Sequence, residues 1–278
     1  MRTPIAIELT KTSKLSSVDF NNIPFGRVFS DHMYVADYNG KEWINPRIVP
    51  FGHFMIHPAN LALHYGQSIF EGMKAAKQHD GKPVLIRPEM HSRRLNASAV
   101  RMCMPEFPED MFLDALHTLL AIDREWIPTA EGSALYIRPY MFATGEYIGV
   151  QASDVYRMII FSGPVGPYYN KPVKLLAEEK YVRAARGGVG EAKTSGNYAA
   201  SLLPAKLAKE KGFDQVLWLD AQEFKYVQEV GTMNIFFVIG DKIVTPSTDG
   251  AILRGITRES IIDLLNKAKP AEFCLIIA

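Results

Sequence analysis

Apolar residues recur along the chain with two different spacings, and each spacing predicts one kind of element. In residues 89–103 and 109–127 they recur every three or four positions, which is the period of an amphipathic helix. In the second stretch, one face collects five apolar residues: Phe112, Ala115, Leu116, Leu119 and Leu120. Two further helices are predicted, one ending near Gly212 and one over 257–268.

Shorter apolar runs, bounded by Gly, Pro, Asn or Asp, predict strands. These runs are "RVFSDHMYVADY", "PVLIRP", "ALYIRPYMFA", "YRMIIFSG", "VKLLAEE", "QVLWLD" and "NIFFVIG". Because strand and helix patterns alternate, we predict an α/β or α+β fold in two domains.

Changes in pattern suggest where those domains begin and end. Residues 1–24 have no clear period and are predicted as an N-terminal arm, followed by a small α/β domain over 25–161. Residues 162–172 are dense in Gly, Pro and Tyr and are predicted as a linker loop. A larger domain then covers 173–278.

Composition narrows the class of protein. The 278 residues are 47% hydrophobic with a net charge of +1, which fits a globular protein with a substantial core. No basic or acidic run favours nucleic acid or an anionic membrane as partner. The start has no apolar signal segment, and no stretch of about 20 apolar residues occurs. The two cysteines, Cys103 and Cys274, have no metal-ligand spacing, so we expect a cytoplasmic protein without a metal site.

The stretch "GGVGEAKTSGNY", residues 187–198, places Lys193 among glycines just before a helical pattern. One interpretation is a phosphate-binding P-loop, with Asp220 at the end of an apolar strand as a magnesium ligand. Ala192 stands where that motif needs glycine, and "EEKYVRAAR" separates the preceding apolar strand from the glycines. Both departures disfavour a nucleotide site.

The other interpretation is a lysine amine that forms an imine with an aldehyde. Such an amine must be partly deprotonated near neutral pH, and the small residues around Lys193 would let an aldehyde approach. Glu229 could pair with a protonated pyridine nitrogen or form a strand-end ion pair. Tyr198 could bind a phenolic oxygen or pack in the core. The helix start near Thr257 could bind a phosphate, or Thr257 could be an ordinary N-cap.

Taken together, these pieces resemble the branched-chain amino acid aminotransferases, which belong to the fold-type-IV pyridoxal-phosphate enzymes. The resemblance covers nearly everything after Phe25. It rests on "FGRVFSDHMYVADYNGKEW", "LALHYGQSIFEGMKAAK", "LYIRPYMFATGEYIGV", "SGPVGPYY", "YVRAARGGVGEAKTSGNYAASL", "GFDQVLWLD", "EVGTMNIFFV" and "GITRESIIDLL". It implies a two-domain architecture like that of D-amino acid aminotransferase, pyridoxal 5'-phosphate as cofactor, and a homodimer.

The resemblance also implies roles for individual residues. Lys193 would hold the cofactor covalently and move a proton. Glu229 would face the pyridine nitrogen, and Tyr198 the phenolic oxygen. The phosphate would be bound by Arg94 and the backbone N–H groups of Ile256 and Thr257, although Arg93 is the neighbouring alternative.

For the substrate, the resemblance implies an apolar pocket of Tyr65, Phe70 and Tyr136. Arg138 would bind the distal carboxylate of glutamate or 2-oxoglutarate, and Lys74 and Arg183 are weaker candidates for the rim. The implied reaction moves the amino group of leucine, isoleucine or valine to 2-oxoglutarate. A D-amino acid aminotransferase, an aminodeoxychorismate lyase and a non-catalytic fragment are the alternatives.

The chain departs from the family pattern in four places. Ser195 replaces a glycine, Arg254 replaces a proline, and Pro204 falls inside a predicted helix, where proline costs about 3 kcal/mol. The sequence ends at "AEFCLIIA", where the family continues through a Gly-Thr-Ala turn. We therefore expect a truncated large domain with reduced stability and weak or absent activity, and a genuine short C-terminal strand is the alternative.

Overall fold

The computed structural model describes residues 4–78, 80–167, 169, 171–268 and 274–277. Contacts within the chain separate two units, unit 1 (Met1–Asn170) and unit 2 (Lys171–Ala278). Both mix helices with sheets, as the alternating sequence pattern predicts, and the fold is mixed α/β. No helix in the described ranges is long and apolar enough to span a membrane.

Unit 1 contains, within its described residues, an eight-stranded sheet. The strands are β1 Ala6–Ile7, β2 His32–Tyr38, β3 Trp43–Pro50, β4 Ser68–Phe70, β5 Met73–Lys77, β6 Pro83–Leu85, β7 Ala134–Ala143 and β8 Tyr156–Val165. Their order is β1-β3-β2-β8-β7-β5-β6, and β4 also pairs with β7. The short strand β1, which lies in the arm predicted to be irregular, is parallel to β3.

Strands β7 and β8 form the centre of this sheet, paired in register from Ala134↔Val165 to Ala143↔Tyr156. The predicted linker loop, 162–172, overlaps the end of β8. Ser162 and Gly163 also belong to the predicted strand run "YRMIIFSG", whereas Pro164 and Val165 were expected in the loop, and that expectation was wrong. Pro164 is tolerated because β2 pairs with β8 only as far as Phe161, so the end of β8 needs ladder hydrogen bonds on one side only.

Three α-helices lie in the described part of unit 1: α1 Leu61–Tyr65, α2 Pro88–Arg101 and α3 Glu109–Ile122. Helices α2 and α3 were predicted from their periodicity. All five residues of the predicted apolar face of α3 are buried. They join residues of α2 and the sheet in one hydrophobic core, which fixes α2 against the strands.

Unit 2 contains two three-stranded sheets in its described part. One has β9 Leu175–Glu178, β10 Gln215–Leu219 and β11 Val227–Val230, and the other has β12 Phe237–Ile239, β13 Lys242–Thr245 and β14 Cys274–Ile277. Its helices are α4 Ser195–Ala200, α5 Leu202–Glu210 and α6 Ile256–Ala268. Strand β14 accounts for part of the terminal apolar segment, and the rest of that segment lies outside the described residues.

The helix predicted to contain Pro204 is divided in two. Helix α4 ends at Ala200 and α5 begins at Leu202, so Pro204 is the third residue of a new helix. A proline in the first turn replaces an N–H group that has no intrahelical partner. The expected cost of about 3 kcal/mol for an interior proline therefore does not apply here.

Candidate active site

Lys193 and Tyr198 meet in unit 2, at the start of α4. The Lys193 Nζ donates a hydrogen bond to the Tyr198 Oη at 2.9 Å. Lys193 lies in the loop just before the helix, and Tyr198 lies one turn into it. The Asn197 side chain fixes the loop by donating from Nδ2 to the carbonyl oxygens of Val189 and Ala192, at 2.8 and 2.9 Å. The fold therefore brings Lys193 and Tyr198 together, and their roles toward a cofactor stay a prediction.

Gly190 lets this loop lie against the segment that precedes α6. A Cβ atom at this position would overlap the Ala251 carbonyl oxygen and the Ala184 Cβ. Ser195, by contrast, is the first residue of α4 and is not among the residues with positive φ. Serine in place of the family's glycine therefore causes no backbone strain.

Glu229 lies in β11 and is buried, with 2% of its surface exposed. Its Oε1 accepts a hydrogen bond from the Asn234 Nδ2 at 3.0 Å. Its Oε2 is buried and receives no hydrogen bond from any described residue. Burial raises the pKa of Glu229 to about 7, although the charge of Arg183, the Leu253 backbone and the charge of Lys193 act to lower it.

Arg183, expected at the rim of the substrate pocket, lies instead beside Glu229. Its side chain is 8% exposed, and Nη1 is 2.7 Å from the Glu229 Oε2. The N–H groups of the guanidinium point elsewhere, and they donate to the carbonyl oxygens of Ala251 and Gly190 at 3.0 and 3.4 Å. The rim prediction for Arg183 was wrong because burial and this ion pair place the side chain inside unit 2.

Helix α6 begins at Ile256, so the backbone N–H groups of Ile256 and Thr257 belong to its first turn. N–H groups in a first turn have no acceptor within their own helix and favour an anion. Asn234 connects this turn to Glu229, because its Nδ2 also donates to the Leu253 carbonyl oxygen at 2.9 Å. The close approach of Asn234 requires glycine at position 255, where a Cβ atom would overlap the Asn234 Oδ1.

Arg94 lies on α2 in unit 1, where it is bound by Glu71. The Arg94 Nε and Nη2 donate to the two carboxylate oxygens at 2.7 and 2.8 Å. The His91 Nδ1 is 2.7 Å from the same carboxylate. Burial alone would raise the pKa of Glu71, but hydrogen bonds and charges from Arg94 and His91 lower it to about 2.

The geometry distinguishes Arg94 from its neighbour Arg93. The Arg93 side chain is 71% exposed and pairs with Glu109 on the surface, whereas the Arg94 side chain is 13% exposed. The structure therefore holds Arg94 in one place, and phosphate binding by Arg94 stays a prediction.

Three of the four predicted substrate residues lie together in unit 1. The Arg138 guanidinium lies 4.6 Å from the centre of the Phe70 ring and 5.4 Å from that of Tyr136. Its Nη2 donates to the Tyr136 Oη at 3.0 Å, so Tyr136 and Arg138 share one face of β7. The Arg138 Nε is buried and has no hydrogen-bond partner among the described residues.

The remaining candidates lie at the ends and edges of other elements. Tyr65 ends α1 and is 39% exposed, with its ring 6.2 Å from that of His64. Lys74, on β5, is opposite Tyr136 in the sheet and is exposed. The described contacts of Tyr65 do not include the group formed by Phe70, Tyr136 and Arg138.

A model of the family described as amino-transferase class IV matches residues 68–273 of the chain. The chain belongs to amino-transferase class IV.

Several relatives of this class IV aminotransferase are named as branched-chain aminotransferases. Branched-chain-amino-acid aminotransferase 2 of Bacillus subtilis (strain 168) is 52% identical over 265 residues, which are 94% of this chain and 73% of that protein. The branched-chain aminotransferase of Thermoproteus uzoniensis, solved with norvaline, has the same fold. Its TM-score is 0.74 at 24% identity, covering 88% of this chain and 77% of that one. The branched-chain amino acid aminotransferase of T.th., solved with pyridoxamine 5'-phosphate, has a TM-score of 0.69 at 25% identity, covering 87% and 76%.

The structure of this class IV aminotransferase also argues against the P-loop. Strand β9 ends at Glu178 and α4 begins at Ser195, so residues 179–194 separate them. A phosphate-binding P-loop connects a strand directly to a helix.

Sequence reasoning missed several residues that hold the predicted ones in place. Glu71 binds Arg94, Asn197 fixes the Lys193 loop, and Asn234 joins Glu229 to the start of α6. The "EVGTMN" segment contains both Glu229 and Asn234, so the spacing of five residues was a usable signal for that pair. Glu71 had no such signal, because its partners lie 20 and 23 residues away.

Proposed function

We propose that this class IV aminotransferase uses pyridoxal 5'-phosphate to transfer the amino group of leucine, isoleucine or valine to 2-oxoglutarate. The observation that carries the proposal is the grouping of Lys193, Tyr198 and Glu229 in unit 2. The name of the Bacillus subtilis relative, at 52% identity, supports the choice of branched-chain amino acids. The complex of the T.th. enzyme with pyridoxamine 5'-phosphate supports the cofactor.

The residues of unit 2 fit pyridoxal phosphate group by group. The buried Glu229 Oε2, which has no hydrogen bond in the described part of the chain, would accept one from the pyridine nitrogen. Tyr198 would donate to the phenolic oxygen, and the first turn of α6 would bind the phosphate. The bound cofactor supplies an electron sink for the bond broken at the substrate Cα.

Lys193 would hold the cofactor and carry the proton that leaves the substrate. Its Nζ already donates to the Tyr198 Oη at 2.9 Å, so the position of the amine is fixed by a residue on the neighbouring helix. A proton carrier must lie within hydrogen-bonding reach of the atom it serves. We assign the transfer of the Cα proton to this nitrogen.

The residues on β7 and β4 would bind the two kinds of substrate side chain. Phe70 and Tyr136 offer apolar surface to a branched aliphatic group, with Tyr65 as a further wall. Arg138 lies over both rings, and its Nε makes no hydrogen bond within the described ranges. It would donate to the distal carboxylate of 2-oxoglutarate, because a guanidinium binds a carboxylate well.

Absorbance spectroscopy tests the proposal directly. Wild-type protein mixed with pyridoxal phosphate should gain an imine band in the near-ultraviolet to visible range. Lys193→Ala should lack the band, and Lys206→Ala, which removes a lysine that is 73% exposed, should keep it. Leucine should then convert the band to the amine form, and 2-oxoglutarate should restore it.

Two results would contradict the proposal. If the wild type forms no band, the chain does not use this cofactor. If D-alanine converts the band and leucine does not, the chain is a class IV enzyme of another specificity.

A further inference from the structure

Arg183 lies against Glu229 but does not form the usual arginine–carboxylate pair. Such pairs are commonly bidentate, with two N–H groups aimed at the two oxygens, and Arg94 binds Glu71 in that way. At Glu229, the Arg183 Nη1 is 2.7 Å from Oε2, yet its N–H groups donate to the backbone carbonyls of Ala251 and Gly190. The two charges therefore attract each other while Oε2 receives no hydrogen bond within the described chain.

This geometry separates two effects that arginine usually combines. Attraction between charges depends on their distance, whereas a hydrogen bond also depends on direction. The guanidinium charge stabilises the ionised carboxylate from a short distance. The lone pairs of Oε2 stay open to a different donor.

We infer that Arg183 is a positioning residue that keeps Glu229 ionised while leaving its Oε2 open to accept a hydrogen bond from the pyridine nitrogen of the cofactor. This inference rests on the function proposed above. An ionised carboxylate stabilises a protonated ring nitrogen, and a protonated ring is the better electron sink. Arg183 acts only through Glu229 and contacts neither substrate nor cofactor.

The electrostatics of the site agree with this role. Burial raises the pKa of Glu229, and the Arg183 charge is the largest influence that lowers it. The other groups that face the carboxylate are Lys193, the Leu253 backbone and the Asn234 amide. With Arg183 present, a pKa of about 7 leaves a large share of the carboxyl ionised near neutral pH. Without Arg183, the pKa would rise further and the carboxyl would be protonated, so it could no longer balance the charge of a protonated ring.

The test measures the titration of the Glu229 carboxyl by NMR of protein labelled with ¹³C at glutamate Cδ, with Glu229→Gln used to assign the signal. Arg183→Gln removes the charge but keeps an amide that can donate to a carbonyl. Arg183→Lys keeps the charge but loses the planar set of guanidinium N–H donors. We expect Arg183→Gln to raise the titration midpoint by roughly 1–3 pH units and Arg183→Lys to stay near the wild type. Arg186→Gln, which removes a cation that is 74% exposed in the same segment, should leave the midpoint unchanged.

A second measurement reports the protonation of the cofactor ring. In protein loaded with pyridoxal phosphate labelled with ¹⁵N in the ring, the nitrogen shift should report a protonated ring in the wild type and Arg183→Lys. In Arg183→Gln the shift should move toward that of a neutral ring. If Arg183→Gln leaves both the Glu229 midpoint and the ring shift unchanged, Arg183 has no such role.

Two further outcomes are informative. If the wild type binds no cofactor, the proposed function fails, and the carboxyl titration still decides whether Arg183 keeps Glu229 ionised. If Arg183→Gln does not fold, the double variant Arg183→Gln/Glu229→Gln decides. A folded double variant supports the inference, because the charge of Glu229 was then what required Arg183, and an unfolded one overturns it.

Discussion

Each unit contains a buried glutamate beside an arginine, and the two carboxyls behave in opposite ways. In unit 1, Glu71 receives hydrogen bonds from Arg94 and His91, and its pKa falls to about 2 despite burial. In unit 2, Glu229 has Arg183 equally close, but burial raises its pKa to about 7. The distance from the guanidinium to the carboxylate, 2.7 Å in both pairs, does not explain the difference.

The direction of the arginine N–H groups, together with the second cationic partner His91 at Glu71, explains it. Arg94 aims two N–H groups at Glu71, whereas Arg183 aims its N–H groups at backbone carbonyls. A buried carboxylate whose lone pairs are filled is a structural anchor, since nothing remains for a ligand to add. A buried carboxylate with an open oxygen is costly to keep ionised, and a ligand that fills the open position removes part of that cost.

The largest loss of folding stability is expected from removing the Glu71 carboxylate. Glu71→Ala would leave the buried Arg94 and His91 without their carboxylate, and loss of one partner of a buried pair costs about 3–5 kcal/mol. Urea unfolding followed by fluorescence would measure this loss. Asp37→Ala is the control, because Asp37 also pairs with two arginines but is 25% exposed. Equal losses in the two variants would show that Glu71 is not an anchor.

The two carboxyls should also respond to pH in opposite directions. Ionised Glu71 stabilises the fold above its ordinary pKa of 4.5, and this is lost as pH falls toward 2. Glu229, whose pKa is raised from 4.5 to about 7, imposes no cost below pH 4.5. Above pH 4.5, the ionised Glu229 carboxylate lowers the free energy of unfolding. This loss grows up to pH 7 and reaches its maximum, about 3 kcal/mol, above that pH.

Replacing Glu229 with glutamine should therefore stabilise the cofactor-free protein more at pH 8 than at pH 5. The difference between variant and wild type should grow by about 2.5 kcal/mol over that range. Urea unfolding at pH 5, 6, 7 and 8 would measure it. A difference that stays constant with pH would mean that Glu229 titrates normally in the folded protein.

A smaller loss of stability is expected from replacing Gly190, which lets the carbonyl oxygens of Gly190 and Ala251 both lie within reach of Arg183. In Gly190→Ala the new Cβ would overlap Ala251 and Ala184, and overpacking of this kind costs about 1–3 kcal/mol. Gly196→Ala is the matched control, since this helical residue has no atom within 4 Å of an added Cβ and should gain about 0.5–1 kcal/mol. Thermal unfolding would compare the two, and equal shifts in Tm would contradict the close approach at Gly190.

The sequence predicted best the elements whose pattern is local. Strand β7 has the bounds predicted from its apolar run, and α3 buries the predicted face. The last two residues of β8 were missed because Pro164 is a typical turn residue, and only the position of β2 shows that it fits a strand.

In the candidate site, too, the residues in local motifs were predicted, and the contacts between distant segments were not. Lys193, Tyr198 and Glu229 were identified from motifs a few residues long. The structure places Lys193 in contact with Tyr198, and the roles of all three stay predictions. The position of Arg183 could not be read from the sequence, because its partners lie in segments far along the chain. The direction in which its N–H groups point depends on the backbone of those segments, and no local pattern records it.

The hydrogen bond from Arg183 to the Ala251 carbonyl joins residues 68 positions apart, and this affects the order in which a growing chain can fold. At about 5–20 residues per second, the ribosome needs roughly 3–14 seconds to make the intervening segment. The loop that carries Lys193 therefore emerges well before the chain against which Gly190 and Arg183 pack. During synthesis, the lysine is exposed as part of an unfinished loop until the chain has been made as far as Ala251.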